Sequence, residues 1–159
     1  MNTTASPVPE PPSALKAIAC GGLAVGILDI SSAFVAYGVR GVSPVRILQS
    51  VASGLLGAQA FQGGTVTAAL GAGLHFFIAT VATAVYYVAS RKLRFLVERA
   101  AFFGLLYGEV VYLFMNFVVL PLSLARKAPF TWASLVTGPV GHLFFVGLPI
   151  ALAVRKYGK

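Results

Sequence analysis

Residues Ala100–Leu122 read AAFFGLLYGEVVYLFMNFVVLPL. As a helix this stretch rises roughly 34 Å, at 1.5 Å per residue, enough to cross a hydrocarbon core about 30 Å thick. It holds one charged side chain, Glu109, in its first half, and one amide, Asn116, two turns further on. A carboxylate at that depth is too costly to leave facing lipid. Glu109 is therefore predicted to lie against protein and is a functional candidate. Three other apolar runs, 17–39, 66–89 and 132–154, each carry one ionisable residue near the middle: Asp29, His75 and His142.

The whole chain fits this reading. Its 159 residues are 58% hydrophobic and only 10% charged, with a mean hydropathy of +0.87. A soluble domain of this length needs more polar surface. The expected fold is an all-α integral membrane protein. Four transmembrane helices form a bundle, joined by one amphipathic interfacial or re-entrant helix. Residues 15–159 make a single membrane domain behind a disordered tail, 1–14, with Pro7, Pro9, Pro11 and Pro12. The net charge of +8 does not point to nucleic acid, because the basic residues stand at the ends of apolar runs, where they anchor helices and set topology. The bilayer is the expected partner. Cys20 is alone, so no internal disulfide forms.

The amphipathic element is 43–61. Ser43 is placed to cap it and Pro44 sits in its first turn. Ile47, Leu48, Val51, Ala52, Leu55 and Leu56 fall in one stripe, and Arg46, Gln49, Ser50 and Ser53 on the other side. Leu48, Val51, Leu55 and Leu56 are expected to face the bundle or acyl chains, with Gln49 and Ser53 toward polar surroundings. Gly63 and Gly64 end the segment.

Small residues mark the packing faces of two spans. Gly22, Gly26, Asp29, Ala33 and Ala36 share one face of the first, and Ala68, Gly71, His75, Ala79 and Ala82 one face of the second. Tyr86 and Tyr87 are expected at the membrane interface. Pro139 and Pro149 predict kinks in the last span. With four spans, eight of the twelve Lys and Arg residues gather on one side and four on the other. The positive-inside rule then places both termini in the cytoplasm.

Counted from the cytoplasmic helix ends, Asp29, His75, Glu109 and His142 lie roughly 14–21 Å deep. They fall in one layer near the bilayer centre, with Asn116 about 10 Å beyond Glu109. Two carboxylates and two imidazoles can bind and release a proton or cation. The same groups can also serve only as hydrogen bonds that fix helix pairing. Two histidines on different helices allow bis-histidine haem ligation, and His75, His142 and a carboxylate allow a metal, but no metal-binding spacing is present. The sequence shows no nucleophile elbow, phosphate loop or paired-cysteine motif.

Residues 22–38, GLAVGILDISSAFVAYG, and 141–145, GHLFF, resemble small uncharacterised bacterial inner-membrane proteins, the YagU-like family. The shared features are a glycine-rich first span with a Ser-Ala-Phe-Val run, a histidine in a middle span, and a Gly-His pair in the last. Asp29 departs from that pattern. The resemblance implies a multi-pass protein of the bacterial inner membrane and supplies no reaction. The leading expectation is a proton- or cation-linked small transporter or channel, not an enzyme and without a cofactor. It would use Asp29, His75, Glu109, Asn116 and His142, and the short chain favours a homo-oligomer. A structural or accessory membrane subunit is the alternative, and a haem or metal protein the third.

Overall fold

The structure is a computed structural model that describes residues 13–125 and 132–158. Most of the expected tail lies outside these residues, as does the expected turn at Arg126, Lys127 and Pro129. The fold is an all-α membrane bundle. Among the described residues there is no strand, and four helices are long and apolar enough to cross a membrane.

Helix α1 is Ala14–Gly38 and begins where the Ser13 hydroxyl accepts from Lys16 N at 3.2 Å. Helix α2 is Pro44–Leu56, capped in the same way by Ser43 on Arg46 N at 3.3 Å. A turn of tighter helix, Gly57–Gln62, leads into α3, Gly64–Lys92. Short α4, Phe95–Glu98, precedes α5, Ala100–Leu122. The last helix, α6, runs through Trp132–Gly141, His142–Gly147 and Leu148–Tyr157. At 13 residues, α2 rises only about 20 Å, and it packs on α3.

Both α5 and α6 loosen into a wider π turn, at Met115–Val119 and His142–Gly147. Each ends two residues before a proline, Pro121 and Pro149. Proline lacks an N–H and its ring clashes with the carbonyl one turn back. A wider turn accommodates that clash without breaking the helix. The helix around Pro139 likewise continues.

Backbones meet closely at glycine. On α5, Gly104 and Gly108 lie against the main chain of Gly147 and His142 in α6. A Cβ on Gly71 of α3 would overlap the carbonyl oxygen of Leu48 in α2. Gly22 and Gly26 of α1 seat on Thr80 and Phe76 of α3, so these two helices run antiparallel. The central core gathers Val25, Ala79, Tyr86, Ala100, Val146, Ile150, Ala151 and Val154. Ser13 N donates to Tyr157 O at 2.9 Å and Arg91 Nη1 to Gly158 O at 2.9 Å. The start of α1, the end of α3 and the end of α6 therefore share one side of the bundle.

Two sequence expectations are corrected. Gln49 and Ser53 of α2 do not face polar surroundings: both are 5% exposed, whereas Leu55 is 58% exposed. The reason is local pairing. Gln49 Nε2 donates to Gly64 O at 2.9 Å, and the Ser53 hydroxyl to Ser50 O at 2.6 Å, so inward burial costs neither a hydrogen bond. Tyr86 is not an interface anchor. It is 1% exposed, its ring lies 4.9 Å from that of Tyr107, and its hydroxyl donates to Leu96 O at 2.9 Å.

Candidate functional site

The expected site residues sit on two pairs of packed helices, α1 with α3 and α5 with α6. His75, on α3, reaches across to α1. Its Nε2 lies 3.0 Å from Gly26 O, and since a carbonyl only accepts, that nitrogen donates. Asp29 stands one turn beyond Gly26 on α1 and is half-buried. Its backbone carbonyl accepts from the Ser32 hydroxyl at 2.7 Å.

The second pairing is α5 against α6. Gly108 has no side chain, so α5 sits directly on the backbone of His142 and Leu143. Glu109 is the next residue, turned about 100° round the helix. Tyr107, turned the other way, donates its hydroxyl to Ala82 O of α3 at 2.7 Å. Glu109 therefore lies on the flank of α5 away from α3. It is half-buried as a residue, but its Oε1 is fully buried and has no hydrogen-bond partner. His142 Nδ1 donates to Gly138 O, one turn back on its own helix, at 3.0 Å, and its ring meets that of Tyr112 edge-on at 5.2 Å. Asn116 Nδ2 donates to Tyr112 O on its own helix at 2.9 Å.

The structure thus divides the expected layer into Asp29 with His75 on one side and Glu109, Asn116 and His142 on the other. Among the described residues neither histidine hydrogen-bonds a carboxylate; both donate to main-chain carbonyls. A neutral imidazole that donates from one nitrogen presents the other as an acceptor. In that form His75 would accept at Nδ1 and His142 at Nε2. Among the described residues, no three His, Cys, Asp or Glu side chains converge as ligands of a metal ion.

The sequence reading misplaced two polar groups, Gln49 and Tyr86, and missed a third, Tyr107. Each lies within an apolar or amphipathic helix and gives its donor to a main-chain carbonyl of another segment. A signal was available for Tyr107. It directly precedes a glycine four residues after another, and a residue beside such a close-packing step is held near the adjacent helices.

The chain matches no family model, and no curated protein and no solved structure matches it.

Proposed function

We propose that this multi-pass membrane protein is a small proton-linked transporter or channel in which Glu109 takes up and releases the proton. The observation that carries the reading is the buried, unpartnered Oε1 of Glu109 in a spanning helix. A carboxylate oxygen kept in such a place without a partner contributes nothing to helix pairing, and its retention calls for a reason other than packing. A protonated carboxyl is neutral and tolerates the site; loss of the proton leaves a charge that must draw a cation, a proton or water. His142 lies across the α5–α6 contact, where its free ring nitrogen is a candidate relay. Asp29 and His75 supply a second carboxyl and imidazole on the α1–α3 pairing. On this reading the protein is not an enzyme and needs no cofactor.

The accessory-subunit reading has its own support: both histidines donate to main-chain carbonyls, which is what a lock on helix geometry does. Flux into proteoliposomes loaded with a pH-sensitive dye separates the two. If Glu109 carries the proton, Glu109→Gln abolishes flux while the protein still inserts and keeps its thermal stability. If flux is absent from the wild type across a panel of cations, or Glu109→Gln leaves it unchanged, the transport reading fails and the structural one stands.

Orientation follows from charge. Lys16, Arg91, Lys92, Arg94, Arg99, Arg155 and Lys156 cluster at the side shared by the start of α1 and the end of α6. That side is the cytoplasmic one, in a bacterial inner membrane. Reporter fusions after Gly41 and after Gly64 should both read periplasmic, and opposite locations would sink this topology.

A further inference from the structure

Phe102, Leu106, Glu109, Leu113 and Asn116 follow one another along α5 at alternating steps of four and three residues. That is the spacing of a helix–helix seam, and it runs for about 21 Å of helix. Its apolar members are uncovered among the described residues: Phe102 is 64% exposed, Leu106 52% and Leu113 49%, while Asn116 is half-exposed and Glu109 is half-buried with its Oε1 inside the chain. The Asn116 amide makes a single hydrogen bond among the described residues, from Nδ2 to Tyr112 O. Its other N–H and its carbonyl oxygen are left at a depth where water offers no partner. From Met115 the π turn rotates the helix, so that Leu120 and Ser123 turn instead to the cleft beside α2.

We infer that this seam is the contact between two copies of the chain, related by a two-fold axis along the membrane normal. Under that symmetry each residue meets its own copy at its own depth. Asn116 is both donor and acceptor and so completes itself against Asn116 of a second copy. Any other partner would need a polar group at that depth. The paired glycines of α1 and α5 are already used inside the bundle: Gly104 and Gly108 hold α6, and Gly22 and Gly26 hold α3. Polar residues in a seam fix register and copy number. The inference is independent of transport.

The experiment is cysteine cross-linking in native membranes, with exposed Cys20 replaced by Ser. Leu106→Cys and Leu113→Cys should give a covalent dimer on mild oxidation, and Phe77→Cys, at a 65% exposed position on α3, should not. Förster transfer between separately labelled copies in vesicles reports association without new cysteines in the seam. There Asn116→Leu should weaken association roughly three- to tenfold, the worth of one or two membrane hydrogen bonds. Glu109→Gln should keep association, because the contact rests on Asn116 and the apolar residues of the seam, so loss of flux and loss of the dimer are separable. Equal cross-linking at seam and control, cross-links only to a different protein, or transfer unchanged by Asn116→Leu would each overturn the inference.

Discussion

Replacing Gly108 with alanine tests the contact that places Glu109. The new Cβ would stand 2.8 Å from the carbonyl carbon of His142 and 3.0 Å from the Cα of Leu143, with the His142 oxygen closer still. Ordinary contact begins at 3.4 Å, so α5 and α6 must part by at least 0.6 Å. Overpacking costs about 1–3 kcal/mol, and backbone neighbours that cannot rotate away put this site near the upper end. Alanine regains about 1 kcal/mol of helix propensity over glycine. The net expectation is a loss of about 2 kcal/mol. Gly141 on α6 is the control, since a Cβ there meets nothing within 4 Å. Gly141→Ala should therefore gain up to about 1 kcal/mol. The assay is reversible unfolding in mixed detergent micelles by titration with a denaturing detergent, followed by far-ultraviolet circular dichroism. Gly108→Ala as stable as Gly141→Ala would refute the close α5–α6 approach and the placement of Glu109 that depends on it.

The docking of α2 yields a similar contrast on one helix. Gly71→Ala should detach α2 and lower stability by about 1–3 kcal/mol, whereas Gly73→Ala, which meets open space, should not; limited proteolysis in the turn after α2 reports the difference. Gln49→Ala removes the donor to Gly64 O and should cost about 1–2 kcal/mol in the same unfolding assay. An effect no larger than that of an exposed substitution such as Gln59→Ala would show that Gln49 does not hold the turn. Tyr107→Phe keeps the ring against Tyr86 and deletes the hydroxyl bond to Ala82 O, for an expected loss of about 0.5–1.5 kcal/mol. No change in midpoint would mean that this bond does not tie α5 to α3.

The spanning helices were legible because hydrocarbon imposes one rule on every residue of a span: the side chains are apolar and the backbone satisfies itself as helix. Length and hydropathy report that rule directly, and the small-residue faces of α1 and α3 report the next, that helices approach where side chains are missing. The cap of α2 was equally local, since Ser43 and the N–H it accepts are three residues apart.

Rotation of α2 was not legible. Its stripe was assigned by asking which side chains prefer water, but in a membrane the outside is also apolar, so hydrophobicity does not separate inside from out. The deciding contacts were the Gln49 donor on the Gly64 carbonyl, fifteen residues along the chain, and Gly71 against the Leu48 carbonyl; Ser53 could turn inward because its hydroxyl bonds its own helix. The polar groups followed the same division. Sequence alone placed Asp29, His75, Glu109 and His142 at similar depth, because depth is a count of residues along a helix of fixed rise. Which of them meet is set by the azimuth of each helix. That azimuth depends on glycine contacts between chain segments far apart in sequence: Gly26 under Phe76, Gly108 on His142. Tertiary structure alone gave His75 to the Gly26 carbonyl, tied His142 to its own helix and left one oxygen of Glu109 buried without a partner.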